Sequence, residues 1–523
     1  MSDKVKIKRA VISVSDKSGV EDLALKLEAM GVEILSTGGT MKRLKEAGVQ
    51  VISVSTFTGA PEIMGGRVKT LHPKIYAGIL CRRDNPGDME QLSEQDYRPI
   101  DLVVVNLYPF QQTVARQDAD DAEIIENIDI GGPSMIRASS KNYEAITVVV
   151  DPSDYGKLIE QMEANDSATD LEFRKSCAAK AFAQTAAYDS AIATYYKSGR
   201  GAEADKFPAQ LTPSYSFTSQ LRYGENPHQQ AAVYAANDNV GPTLLEAEVL
   251  SGKELSYNNY GDLDAALDLV LDFSEPFACV LKHANPCGAA VGASIAEAYQ
   301  AAYDSDPLSA FGSIIGLNRE VDLECAKVLH ETPFVECVLA PSYSDDALKL
   351  LKKKKNRRLL ALPTIAQGMP EDHSVYKYIR GGLLVQAGDV LESAAADLRV
   401  VTKRAPTDEE IKSLLFAWRV VKHTKSNAIV LAKGNATVGV GMGQTSRVDS
   451  GFMAVKRAGD RAKGAVMASD AFFPMPDGVE VATDVGVTAI IQPGGSKGDE
   501  QAIKAADKAG AAMVFTGVRH FKH

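Results

Sequence analysis

Lys282 and His283 stand side by side at the end of an apolar run in VLKHANPCGAA (280–290), ahead of Asn285, Pro286 and Gly288, which read as a turn. A lysine supplies a cationic donor and an imidazole can take or give a proton near neutral pH, so the pair suits proton transfer at a polarised centre. The same residues serve equally as the plain end of a strand. A second set lies near the N-terminus. Ser13, Ser15, Lys17 and Ser18 occupy one strand-to-helix loop, and Ser36, Thr37, Gly38, Gly39 and Thr40 occupy the next. Free amides at helix N-termini suit phosphate, although hydroxyl residues there are also ordinary helix caps. Neither loop matches a P-loop or G-x-G-x-x-G pattern, which argues against a nucleotide triphosphatase or a dinucleotide enzyme.

Further groups follow in order. GAPEIMGGRVKTLHPKIYAGIL (59–80) reads as a long Gly- and Pro-rich loop carrying Arg67, Lys69, Thr70 and His72. The strand DLVVVN ends at Asn106, close to Tyr108, and strand ends of this kind point into the ligand crevice of parallel sheets. ENIDIGGPSMIRASSKN (126–142) offers Asp129, a Gly-Gly turn and a helix from Pro133 whose far end carries Arg137 and Lys141. There Asp129 is either a functional acid or a cap, and Lys141 either a ligand or a partner of the helix dipole. Arg222, Tyr223, Asn226 and His228 crowd into LRYGENPHQ. The basic run LKKKKNRR (351–358) is either a solvated face or a patch for a polyanion such as a polyglutamylated cofactor tail.

The elements that must position these residues alternate from Ala10 as strand, loop and helix, the grammar of a parallel α/β sheet. Helices are expected over roughly 153–165, 170–197 and 262–273. The polar stretch 198–220 reads as a linker, giving domains 1–197 and 221–523. The second domain looks duplicated, roughly 221–395 and 396–523, because VLKHANPCGAA is echoed by VVKHTKSNAIVLA (420–432) and DPLSAFGS (306–313) by SDAFFPMP (469–476). That suggests two subdomains facing each other across a site. With 523 residues and 45% hydrophobic content the chain can bury several cores, and no apolar run approaches a membrane span. Nothing at the N-terminus resembles a signal peptide, so a cytoplasmic location without a membrane partner is expected. The net charge of −11 gives a nucleic-acid partner no global support. Six cysteines are scattered without a C-x-x-C pair. HANPC faintly matches the zinc deaminase pattern H-x-E…P-C-x-x-C, but Asn285 stands in place of the glutamate and Ala290 in place of the second cysteine, so no catalytic metal is expected.

The motifs SVSDKSG, STGGT, GRVKTLHP, NLYPF, NIDIGG, SKN, RYGENPHQ, LKHANPCG, KSNAIV, GQTSR and SDAFFP occur in one order from about residue 10 to the last residue. As a set they resemble the bifunctional AICAR transformylase/IMP cyclohydrolase family of de novo purine synthesis. The resemblance implies an α/β chain: an N-terminal methylglyoxal synthase-like doubly wound parallel sheet, then a transformylase of two cytidine deaminase-like subdomains. It implies 10-formyltetrahydrofolate as co-substrate, AICAR and formyl-AICAR as substrates, and a homodimer with transformylase sites near its interface. For formyl transfer it implies His283 as base or proton shuttle, Lys282 as acid or electrophilic partner, and Asn427 close to the transfer. It has Arg222, Tyr223, His228 and Arg519 hold the AICAR nucleotide, while Phe311, Phe473 and Arg447 line the clefts. For ring closure it implies Asp129 as base with Lys69, Asn106, Tyr108 and Lys141, and Ser13, Lys17, Thr37, Gly38, Arg67 and Thr70 around the substrate. A nucleotide-binding regulator without catalysis and a zinc deaminase relative are the competing expectations.

Overall fold

The computed structural model describes residues 3–116, 118–198, 207–237, 241–371 and 373–523. The chain divides into a first unit running to Tyr215 and a second running from Ser216 to the end, with Ala236 counted with the first. Of the stretch read as a linker, 199–206 lies outside the described residues, and Tyr215–Leu221 is a strand beside Ala231–Ala236.

In the first unit five parallel strands, β1 (Arg9–Val14), β2 (Glu33–Ser36), β3 (Val51–Ser53), β4 (Leu102–Asn106) and β5 (Thr147–Val149), lie in the order β3-β2-β1-β4-β5. Strand side chains alternate between faces, and each face of this sheet is covered. Ala10, Ile12 and Val14 pack against Leu23, Ala24 and Leu27 of α1 (Val20–Ala29). Val11 packs on the opposite face with residues of α3 (Pro73–Leu80) and α4 (Gly131–Lys141); α2 (Gly38–Glu46) follows β2 in sequence. α5 (Leu171–Ser198) adds Ala181 to that second face. The strand order reverses between β1 and β4, and the carboxyl ends at such a point open a ligand crevice. One expectation is corrected here. The segment 59–80 is a loop only in its first half, because Pro73 at the first helical position and the His72 ring, accepting from Lys74 N at 3.1 Å, start α3.

The second unit holds one twelve-stranded mixed sheet built from two copies of the same pattern. The first copy runs α6 (Tyr257–Leu271), β6 (Phe277–Lys282), β7 (Asn285–Val291), α7 (Ile295–Ser305), β8 (Ser313–Leu317), α8 (Leu323–Glu331), β9 (Val335–Ala340), α9 (Asp345–Leu351) and β10 (Arg358–Ala361). The second runs α10 (Asp408–Lys422), β11 (Ile429–Lys433), β12 (Ala436–Gly441), α11 (Arg447–Ala458), β13 (Val466–Ser469), α12 (Asp477–Thr483), β14 (Ala489–Gln492), α13 (Asp499–Ala509) and β15 (Ala512–Phe515). In each copy the first two strands form a hairpin, the third is antiparallel to the first, and the last three are mutually parallel. The copies join edge to edge through β7 and β12. They share a continuous sheet instead of facing one another.

The duplication is present, but both sequence echoes pair the wrong residues. Lys422 and His423 end a helix, whereas Lys282 ends a strand. The structural counterpart of Lys282-His283-Ala284-Asn285 is Lys433-Gly434-Asn435-Ala436, since Lys282 pairs with Asn285 and Lys433 with Ala436 across two-residue turns. Likewise 306–313 precedes β8, while 469–476 runs on from the end of β13. The turn itself is His283-Ala284, at φ 54° and 57°, not Asn285-Pro286-Gly288. A two-residue hairpin loop with both φ positive matches strand twist. Gly288 lies within β7 because a side chain there would collide with the Ala302 carbonyl oxygen of α7. α6 starts at Tyr257, earlier than the apolar period from Leu263 indicated, because Ser256 and Asn259 cap a polar first turn.

The second Lys-His pair has its own explanation. Lys422 Nζ lies 2.7 Å from Asp272 Oδ2 and His423 Nε2 2.9 Å from the same oxygen, all three side chains being buried. Burial pushes the Asp272 carboxyl up, but His423 and Lys422 outweigh it and hold it below the ordinary carboxylate range. A depressed acid contributes stability that is present above its unfolded value and lost as pH falls through its folded one. Removing one partner of such a buried pair costs about 3–5 kcal/mol. Lys422→Ala is therefore expected to lower the unfolding free energy by that order, read as a lower urea midpoint; an unchanged midpoint would contradict a structural pair.

Candidate functional site

The carboxyl ends of β1, β2 and β4 floor a cavity of about 570 Å³ in the first unit. Ser13, Lys17, Thr37, Gly38, Arg67, Lys69, Thr70, Asn106, Tyr108 and Asp129 all line it. The two hydroxyl loops are not ordinary caps. α1 is preceded by Gly19 at φ 68° without a side-chain cap, and Ser18 bonds instead to Asp16 at 2.6 Å. Thr37 precedes α2 without capping it and bonds Glu62. The α2 amides are thus left for a ligand, and their end of the helix dipole favours an anion. Lys69 Nζ comes within 3.8 Å of where a Gly38 side chain would stand, and Lys17 Cε within 3.6 Å of the same position at Gly39, so both cations border that loop.

Asn106 lines the cavity and also braces it. Its Oδ1 accepts from Ser15 N at 2.6 Å and Asp16 N at 2.9 Å, and its Nδ2 donates to Asp16 O at 2.8 Å, bracing the β1 loop. Asp129 Oδ1 accepts from Gly132 N at 2.8 Å, while its backbone N donates to Tyr188 Oη at 2.8 Å. Burial raises the Asp129 carboxyl above the ordinary range, opposed by the Gly132 amide and the Lys69 charge. Gly131 and Gly132 leave no room for side chains: Cβ atoms there would stand 2.7 Å from Thr70 Oγ1 and 2.5 Å from Asp129 Oδ2. Arg67 is ion-paired with Glu126, both exposed. Lys141 is the last residue of α4 and is not among the residues lining the cavity; about 9 Å of helical rise separates it from Met135, the last lining residue of that helix. Tyr196, on α5, and Met135 and Glu126 line the cavity as well. Glu126 adjoins a motif, whereas nothing in sequence marks Tyr196.

In the second unit Lys282, His283, Asn427, Arg447 and Phe311 join one network. Lys282 Nζ donates to Phe311 O at 2.7 Å. Ala284 N donates to Asp262 Oδ1 of α6 at 2.6 Å. Asn285 donates to His283 O at 3.0 Å and accepts from Lys425 N at 3.2 Å, two residues before Asn427. Asn427 Oδ1 accepts from Arg447 NH2 at 2.8 Å, and its Nδ2 donates to Gln444 O at 2.9 Å. Arg447 is nearly buried against Asp470 and Ser469, so its guanidinium positions Asn427. Phe473, at 1% exposure, belongs to the core under β11 and β13, and its neighbour Phe472 is the exposed ring. Phe311 is exposed. Arg222, Tyr223, His228 and Arg519 lie on exposed segments, Arg222 over the Tyr223 ring and Arg519 over Phe521. Among the described residues no hydrogen bond ties these four to the 282–285 turn.

Among the described residues no group of three His, Cys, Asp or Glu side chains could hold a metal ion, and no helix is long and apolar enough to cross a membrane. Cys287 of the deaminase-like HANPC is buried, its thiol pushed up to about 12 by that burial.

A family model described as the AICARFT/IMPCHase bienzyme matches residues 139–457, and an MGS-like domain matches 19–134. The chain is 53% identical to the bifunctional purine biosynthesis protein PurH of Anoxybacillus flavithermus over 99% of this chain and 100% of that one. The PurH proteins of Bacillus subtilis and Acetivibrio thermocellus are 52% and 50% identical over the same shares. A crystal structure of ForH aligns with 36% of this chain and 96% of its own at 34% identity and a TM-score of 0.34. The family model and the PurH relatives support neither the non-catalytic regulator nor the zinc deaminase.

The first cavity is expected to bind a phosphate ester at the α2 amides. Lys17→Ala should weaken that binding roughly tenfold, the worth of one charge-assisted hydrogen bond. Equal affinity of both proteins by calorimetry would remove Lys17 from the phosphate site.

Proposed function

The chain belongs to the AICARFT/IMPCHase bienzyme family, bifunctional enzymes that formylate AICAR and close the product to IMP, and from that premise we propose how its residues divide the two steps. The second unit performs formyl transfer. The 5-amino group of AICAR is a weak nucleophile, because its lone pair is conjugated with an imidazole bearing a carboxamide. His283 takes its proton as it attacks the formyl carbon of 10-formyltetrahydrofolate, and Lys282 stabilises the tetrahedral oxyanion and helps return a proton to the departing folate nitrogen. Asn427 orients the transferring group. Arg222, Tyr223, His228 and Arg519 hold the nucleotide, and Phe311 offers an exposed ring to a flat substrate.

The first unit performs ring closure. The carboxamide nitrogen attacks the formyl carbon of the same molecule, and loss of water gives IMP; with both reactants in one molecule, the enzyme selects a conformer and moves protons. The observation that carries this assignment is the single cavity where Asp129 and Lys69 stand with the two loop-to-helix turns. Asp129 accepts the carboxamide proton, Lys69 and Tyr108 stabilise charge on the formyl oxygen, and Ser13, Lys17, Thr37 and Gly38 cradle the phosphate. Thr70 and Arg67 border the site, and Asn106 braces it.

The working form is a homodimer in the cytoplasm. The dimer is supported by the hairpin Ser374–Ile379/Gly382–Ala387, which among the described residues pairs only with itself and exposes Val375, Tyr376, Tyr378, Ile379 and Leu384. A two-stranded hairpin lacks a core of its own, and a second copy would cover it.

Lys282→Ala or His283→Ala should cut tetrahydrofolate release to a small residual rate yet leave conversion of supplied formyl-AICAR to IMP intact, and Asp129→Asn should do the reverse. Loss of both activities in a folded variant would contradict separate sites. A carboxyl raised by burial loses its charge at a higher pH than an ordinary aspartate, so ring closure should fall on acidification through that raised value. Lys69→Met removes a charge that draws Asp129 downward, so it should move this acid limb upward. An unmoved limb would exclude Asp129 as the titrating group.

A further inference from the structure

The internal repeat provides a control for the Lys282-His283 turn. Its counterpart keeps the lysine and even the lysine's bond: Lys433 Nζ donates to Lys463 O at 3.3 Å, just before β13, as Lys282 Nζ donates to Phe311 O just before β8. The other three positions differ. Gly434 stands for His283, Asn435 for Ala284 and Ala436 for Asn285. In the counterpart only the first turn residue is left-handed, and it is a glycine, Gly434 at φ 60°, which adopts it at little cost. His283 and Ala284 hold φ of 54° and 57° without that freedom, at a cost of order 1 kcal/mol each. The turn must therefore be held from outside.

Two side chains hold it. Asp262, projecting from α6, accepts from Ala284 N at 2.6 Å. Asn285 uses both ends of its amide, donating to His283 O at 3.0 Å and accepting from Lys425 N at 3.2 Å. Lys425 belongs to the other half of the repeat, and the segment it opens is fixed in turn by Gly443 N donating to Lys425 O at 2.8 Å and Asn427 N donating to Gln444 O at 3.2 Å. One amide thus spans from the backbone of His283 to the segment that carries Asn427. Ala436 can make no such span.

Resting on the assignment of formyl transfer to His283, we infer that Asn285 and Asp262 are positioning residues for that step: Asn285 sets His283 in register with Asn427, and Asp262 keeps the turn in its left-handed conformation. They act through His283, and neither is proposed to touch the reacting atoms. Misplacing a proton-transfer group by about 1 Å costs on the order of 100-fold in rate.

The test is a double-mutant cycle on the full-length protein, following formyl transfer from 10-formyltetrahydrofolate to AICAR, with closure of supplied formyl-AICAR as the control for intact protein. Asn285→Ala alone is expected to lower kcat about 10- to 100-fold with KM for AICAR changed less than about threefold. In a His283→Ala background the same change should cost less than about twofold. Asp262→Ala, which removes the acceptor, should follow the same pattern, and Ala284→Gly, which relieves the turn, should recover part of the rate lost in Asp262→Ala. Independent, multiplying losses, or Asn285→Ala within twofold of the parent, would overturn the inference. Full activity of His283→Ala would instead overturn the assignment of the base, so the two failures are distinguishable.

Discussion

The second unit depends on a narrow seam. Its two halves share a single ladder pair, Ala290 with Ala436, and the missing strand bonds are replaced by one buried hydroxyl. Thr437 Oγ1 accepts from Ala289 N at 2.9 Å and lies 2.9 Å from Ser305 Oγ, while Val291 N donates to Asn435 O at 2.9 Å. Arg457 pairs with Asp306 at 2.6 Å, and Arg461 donates to Ser305 O at 2.8 Å beside it. A buried hydroxyl with its bonds satisfied fixes register more than it adds stability, and in a sheet a slip of one residue exchanges the two faces. Because the register is fixed, the end of the first hairpin lies beside the segment entering the second. His283 and the segment leading to Asn427, far apart in sequence, are joined at Lys425 by one asparagine amide.

The first unit solves its positioning problem inside a single sheet. Reversal of strand order between β1 and β4 leaves the carboxyl ends of three strands facing one cavity, and each end is tied to the next. Asn106, on β4, holds the loop after β1; Thr40 Oγ1, on α2, donates to Val14 O at 2.9 Å. The glycines at 131 and 132 let α4 begin against Thr70 and Asp129, where any side chain would displace the carboxylate. Burial then sets the chemistry, since it raises the Asp129 carboxyl, and Lys69 limits the rise.

The parallel sheet and the phosphate-like loops of the first unit were legible because period-two apolar runs and Gly/Ser-rich strand ends are local signals. Asp129 and Lys69 were legible as residue types in ordered motifs, but Tyr196 was not, because a long helix delivers it from 67 residues beyond Asp129 with no pattern of its own. Duplication was visible as an echo, yet a shared Lys-His pair drew the comparison to the end of a helix. The true counterpart keeps only its lysine and its place in a two-residue hairpin loop, and identity is weak evidence where one copy holds a buried ion pair and the other an open hairpin. Phe473 illustrates a different limit: in FFP either ring could face the core, and the tertiary packing around Gly478 takes the second. Lys141 shows that a motif can be contiguous while its ends lie at opposite ends of a helix.

The most direct measurement gives the purified protein AICAR and 10-formyltetrahydrofolate and follows tetrahydrofolate release and IMP formation in one reaction. Two working sites, one in each unit, should yield tetrahydrofolate and IMP in equal amounts once the reaction has run its course. Accumulation of formyl-AICAR without IMP would contradict ring closure in the Asp129 cavity, and absence of tetrahydrofolate would contradict formyl transfer at the Lys282-His283 turn.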